Sequence, residues 1–248
     1  MIIILERHRV ALIIIFLILL LTSCLLFLKN PLLAASVTYR GELDEIAHSF
    51  FSSGDLDSTL SELAQKEKDF SPQQGFDFYA FRAEMELFLG EIHEYLDHSE
   101  AEDHFASARD LAGRALEEKS TARAKRLKSE SISRLFTYRG TFYIIRNSGR
   151  ASRLLQESLA EEPDDEMTRL VEVLYLVSAP GIAGGDKQEA RKVIAEIQTK
   201  GHPVYNYVTY NLLASLDQEA GNVKKAQEHL QKAEEIFPDS PLLGQLFD

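Results

Sequence analysis

The stretch HEYLDH, residues 93–98, sets two histidines beside glutamate and aspartate. These are the residue types that bind zinc and activate its water. In a zinc-protease helix the two histidines stand four residues apart and share one face. His93 and His98 stand five apart, which turns the second about 140° from the first at 100° per residue. They cannot chelate together from one helix. Asp103 and His104 follow closely and make a metal cluster conceivable, but a solvated acidic hairpin loop accounts for them better, and no metal is expected. PGIAGGD, residues 180–186, is glycine-rich but follows a helical pattern and lacks the Gly-Lys-Ser/Thr of a phosphate loop. It reads as a long connection between two helices. Cys24, the one cysteine, lies in an apolar run with no histidine to activate it. No catalytic cluster emerges, so an enzyme is not expected, and neither is a cofactor.

A second charged feature stands out against the composition. The 248-residue chain carries 39 acidic and 27 basic residues, a net charge of −12. That balance argues against nucleic-acid binding, which needs a basic face. Yet Arg123, Lys125, Arg126, Lys128, Arg134, Arg139, Arg146, Arg150 and Arg153 follow one another with Glu130 as the only acid among them. Two readings are open. The stretch is a solvated face balancing acidic neighbours, or it is a patch for an anion or a partner, built from Arg123, Arg126, Arg134, Arg139, Arg146 and Arg150. The aromatics within it, Phe136, Tyr138, Phe142 and Tyr143, read as core.

The elements that must carry these residues are helices. From Gly41 onward apolar residues recur at three- and four-residue spacing, and even TFYII at 141–145 sits inside a longer helical pattern. The spacing repeats. GNVKKAQEHLQKAEEIFPDS, from Gly221, has Ala226, Leu230 and Ala233 at four and three spacing, then Pro238 as a stop. Copies of the same spacing centre on Ala190, on Ala151, on Ala101 with Phe105 and Ala108, and on Thr59. Small alanines let two helices approach, and a large residue fills the gap between hairpins. The pattern resembles the tetratricopeptide repeat, with its A-x3-F-x2-A second helix and terminal proline. Intervals of 36 and 39 residues between Ala226, Ala190 and Ala151 make the copies divergent. The resemblance implies an all-α, TPR-like solenoid of about five helical hairpins over 41–248. Ala101, Phe105, Ala108, Ala151, Ala190, Ala226 and Ala233 would do its packing.

The first residues have another character. Arg7, His8 and Arg9 precede an apolar run from Val10 to Leu28, the order of an export signal. Leu21-Thr22-Ser23-Cys24 resembles the bacterial lipobox, which would make Cys24 the lipidated N-terminus of the mature chain. The same run is about 28 Å long as a helix and could span a membrane uncleaved. Either anchor occupies residues 1–29, with a tether over 30–40. Arg7 and Arg9 mark the cytoplasmic end, so the repeat domain is expected in the cell envelope of a bacterium, on the non-cytoplasmic side.

The anchor, the repeats and the residues Pro180, Gly184, Gly185, Asp186 and Ala190 together resemble the T-component lipoproteins of TRAP transporters. The resemblance implies a protein partner, a solute-binding protein for organic acids, and assembly as a homo-oligomer. Two functions are therefore expected. The first is an exported, membrane-anchored scaffold that binds a protein partner. The alternative is an accessory of TRAP-type solute uptake that handles anionic ligands.

Overall fold

The structure is a computed structural model that describes residues 43–70, 75–96, 98–179 and 184–240. The chain divides into two units, Met1–Glu42 and Leu43–Asp248. The expected anchor, the tether and Cys24 fall on the first unit and lie outside the described residues. Among the described residues no helix is long and apolar enough to cross a membrane.

The described residues are all-α. The described residues form ten helices and no strand. They are α1 (43–53), α2 (Leu56–Phe70), α3 (Phe76–Leu96), α4 (His98–Glu118), α5 (Ala122–Arg134), α6 (Gly140–Glu161), α7 (Glu166–Ser178), α8 (Lys187–Gln198), α9 (Pro203–Glu219) and α10 (Val223–Ile236). The helix starts follow ordinary end chemistry. Side chains of Thr121, Asp165 and Asp186 accept amide hydrogens from the first turns of α5, α7 and α8, and Pro203 opens α9. Each supplies an acceptor or a fixed φ where the first turn has unpaired donors.

Short connections make successive helices antiparallel neighbours. Across α5 and α6, Ser158 Oγ donates to the Ala122 carbonyl at 2.8 Å and Ser129 Oγ to the Ala151 carbonyl at 2.7 Å. Only small residues let the backbones come within reach of a serine hydroxyl. Gly90 plays the same part between α3 and α4: a Cβ there would lie 2.5 Å from the Phe105 ring. The seven residues assigned to repeat packing are all buried: Ala101, Phe105, Ala108, Ala151, Ala190 and Ala233 at 0% exposure and Ala226 at 5%.

Two hydrophobic cores result. One, between α3, α4 and α5, is built from Ala80, Ala83, Ala101, Ala108, Ala112, Ala115 and Ala124 with Phe105, Leu127 and Leu135. The other joins α7–α10 with α1 and the end of α3 and is rich in rings: Phe50, Phe51, Tyr205, Tyr207 and Phe237. In a linear stack each hairpin touches only its neighbours. Here the first described helix reaches the last: Phe51 stacks on Phe237 at 6.1 Å and packs on Tyr207 at 5.4 Å, and His48 meets Phe237 edge-on at 5.0 Å. Burying two phenylalanines from α1 is worth more than leaving them at the end of an open array.

Candidate docking face on the basic helices

The basic stretch splits into an inner and an outer part. The inner part lies on α5 and is consumed by carboxylates of α3, of α5 itself and of α6. Arg123 grips Glu84 with two parallel bonds, Nε to Oε1 at 3.0 Å and Nη2 to Oε2 at 2.6 Å. Arg126, only 4% exposed, donates to the same Glu84 at 2.5 Å and to Glu130 at 3.3 Å. Arg134 pairs with Glu91, and with Glu94 at 3.5 Å. Just beyond α5, Arg139 bonds Glu102 at 2.7 Å and lies over the Tyr143 ring. Lys125 reaches Glu161 at 2.5 Å and Glu157 at 3.4 Å.

Lys128 has a different partner. Its ammonium donates to the Arg109 carbonyl at 2.5 Å, in the space that the missing side chain of Gly113 leaves. Burial, with Arg150 and Arg109 nearby, pulls its pKa down to about 8. Burial also pushes the Glu91 carboxyl up to about 7 against the pull of Arg134, and raises Glu130 against the pull of Arg126. Tyr138 donates to Glu94 at 3.0 Å, and burial together with that carboxylate raises its phenol.

These pairs leave little for a ligand. Arg123, Arg126, Arg134 and Arg139 serve helix packing within the chain. The aromatic expectation divides as well: Tyr138 and Tyr143 pack against the alanine-rich core, while Phe142 stands 85% exposed.

The outer part lies on α6. Phe142, Ile145, Arg146, Gly149, Arg150 and Arg153 follow the three-and-four spacing of one helix face, and all six are exposed. Ala151, Leu154, Leu155 and Ser158 form the buried face of the same helix. Ile145 is 74% exposed and a side chain at Gly149 would meet open space. Among the described residues no carboxylate lies within ion-pair reach of Arg146 or Arg150. Arg153 faces Glu157 at 3.9 Å with 68% of its side chain in solvent. Periodicity could have separated the two faces, since Arg146 and Arg150 fall in line with Phe142 and Ile145 rather than with Ala151 and Leu155.

The glycine-rich segment is explained locally. Gly185 is required because a Cβ would sit 1.8 Å from the Ala179 carbonyl oxygen. Asp186 then caps α8, accepting from the Gln188 and Glu189 amides at 2.9 and 3.0 Å. Those two bonds hold its carboxyl below the usual range. Gly184 takes a φ of 93°, and Ala190 is buried against the ring-rich core. Pro180 lies outside the described residues. Comparison with protein-family models, with curated proteins and with solved structures finds no match to the chain.

Proposed function

We propose that this protein is an envelope-anchored helical scaffold that binds a protein partner through the exposed face of α6. The observation that carries the reading is the stripe Phe142–Ile145–Arg146–Gly149–Arg150–Arg153. Two large apolar side chains on an acidic protein's surface are a place where burial on binding gains about 1.5–3 kcal/mol each. The guanidiniums beside them select carboxylates, and Gly149 leaves a flat seat between. The fitting partner is an acidic helix or extended segment with apolar anchors. A TPR-like solenoid is part of the proposal, supported by the buried alanines at matching hairpin positions. So is the N-terminal anchor, lipidated at Cys24 or spanning, supported by Arg7, Arg9 and the apolar run that follows.

Photo-crosslinking tests it. A crosslinker placed at Ile145 of the full-length chain in native membranes should capture an acidic protein, whereas one at Lys224, 92% exposed on α10, should not. Substituting Phe142 by Ser with Arg146 and Arg150 by Gln should abolish the adduct and leave the helical circular dichroism unchanged. An undiminished adduct in that triple variant refutes the docking face. Capture of a solute-binding protein would favour the second reading, a TRAP-type uptake accessory, whose support is the same pair of arginines without carboxylate partners.

A further inference from the structure

HEYLDH cannot place two histidines on one face, but the hairpin pairs His93 with a histidine from the next helix. α3 and α4 are separated by a single residue, so the end of α3 lies against the start of α4. His93 on α3 and Glu100 and His104 on α4 each offer one donor atom, and the three atoms lie within 4.8 Å of one another. Glu100 and His104 are four apart and share a helix face, the relation that His93 and His98 lack. His93 Nε2 stands 3.6 Å from the Glu100 carboxylate. The two imidazole rings face each other with centroids 4.9 Å apart and planes 21° from parallel.

A fourth residue orients the set. Glu86, about two turns before His93 on α3, lies 2.8 Å from His104 Nδ1. Its carboxylate is itself held by Arg82 at 3.4 Å and is buried. A carboxylate there keeps the proton on Nδ1 and leaves the Nε2 lone pair free to act as a ligand. Carboxylate–histidine support of this kind is the usual outer shell of a metal-bound histidine. We propose that His93, Glu100 and His104 bind one divalent metal ion of zinc-like preference, with Glu86 as a positioning residue.

The donor set selects the ion. Two imidazoles and one carboxylate suit Zn²⁺ and its neighbours and disfavour Mg²⁺ and Ca²⁺, which take oxygen. Zinc bonds of about 2.0–2.2 Å at tetrahedral angles need donors about 3.3 Å apart. The observed separations therefore close by rotation of exposed side chains, chiefly Glu100, which is 66% exposed. His93 and His104 keep 19% and 23% exposure, and a solvent water would complete the four ligands. Bound there, the ion would tie α3 to α4 close to the turn that joins them. The inference does not depend on the docking face, which uses α6.

The test is a titration of untagged full-length protein in detergent with zinc, against a chromophoric chelator, with magnesium as control. One zinc per chain should bind with micromolar or tighter affinity and raise the melting temperature, while magnesium does neither. His93→Gln and His104→Gln should each weaken zinc binding at least about tenfold, and Glu86→Gln about 10- to 100-fold as a supporting residue. Glu100→Gln is a surface change that leaves folding intact, and it should weaken binding at least about threefold. Absence of stoichiometric zinc binding overturns the proposal, as does binding of the same strength in Glu100→Gln and in the His93→Gln/His104→Gln pair.

Discussion

The two cores of this domain solve helix packing in opposite ways. Seven of the eleven buried residues between α3, α4 and α5 are alanine. The core that joins α7–α10 to α1 has only two alanines, Ala190 and Ala233, against five aromatic rings. Alanine brings helix axes close, so the long charged side chains at the seam are carried inward with them. Glu84, Arg123, Arg126 and Glu130 are each at most 15% exposed in their side chains. The ring-rich seam buries an acid but leaves its cation at the rim. The closest equivalent there is Asp217, bonded by Arg191 at 2.9 Å and faced by His229 at 3.3 Å, and Arg191 keeps 36% exposure. The alanine seam of this protein thus buries both members of its ion pairs, whereas the ring-rich seam buries only the acid.

The sharpest way to break the comparison is to remove the acid from each seam. Glu84→Ala removes the two-bond acceptor of Arg123 and the nearer carboxylate of Arg126, which is 4% exposed and is left with Glu130 at 3.3 Å. A loss of about 3–5 kcal/mol in urea unfolding is expected, the usual result of orphaning one side of a buried pair. Asp217→Ala removes the same kind of group, but Arg191 can turn outward into solvent, so the expected loss is only about 1–2 kcal/mol. Equal losses would mean that the seams do not differ in the way the exposures indicate.

Overpacking probes the same contrast from the apolar side. Phenylalanine in place of a tightly packed alanine costs about 1–3 kcal/mol. Ala108, fully buried in the alanine seam, should fall at the upper end of that range. Ala226, 5% exposed near the start of α10, should fall at the lower end. Paired thermal melts of Ala108→Phe and Ala226→Phe read the difference directly. A neutral Ala226→Phe would show that α10 is not seated as closely as its burial implies.

The parts of this architecture that were legible in the sequence are those fixed by local spacing. Helical periodicity named the helices, TFYII included, and alanines at four and three spacing marked buried faces because small residues at helix contacts leave that trace. Gly185 and Asp186 could be placed in a connection, and their jobs there are local. What was not legible depends on partners far along the chain. The basic stretch looked like one patch because Glu84, Glu91 and Glu94, which neutralise its inner half, precede it by about 40 residues. His93 meets His104 of the following helix, a pairing that spacing within one helix does not show. The return of α1 onto α10 joins residues nearly 190 apart, and no periodicity encodes such a contact.

The smallest expected effect distinguishes the seams by proton linkage. Glu91 lies in the alanine-rich half, where burial first, and Glu130 and Glu94 after it, raise its carboxyl from 4.5 to about 7 despite Arg134. Between those values the folded chain holds a proton that the unfolded chain has lost. Folding stability therefore declines as pH rises from about 4.5 to 7, and the penalty stays at its full value above 7. The shift corresponds to at most about 3 kcal/mol. Because 28% of the Glu91 side chain is exposed, about 1–2 kcal/mol is the expected span. Asp217 has the opposite sign. Burial pushes its carboxyl up, but the bonds and charge of Arg191, with Asn222 and His229, outweigh it and hold it below 3.8. Its contribution is present above that value and is lost as pH falls through the folded pKa. Glu91→Gln resembles the protonated acid in shape and can still accept from Arg134, so it deletes the titration while keeping the contact. Urea unfolding of parent and variant at several pH values from 4.5 to 7.5 should give a stability difference that moves against the parent by about 1–2 kcal/mol as pH rises. Taking the difference cancels a raised carboxyl that does not interact with Glu91, such as Glu172, whereas Glu130, whose charge acts on Glu91, is part of the measured difference. A difference that stays flat across this range would show that water reaches Glu91 freely, and that the alanine seam is not the drier of the two.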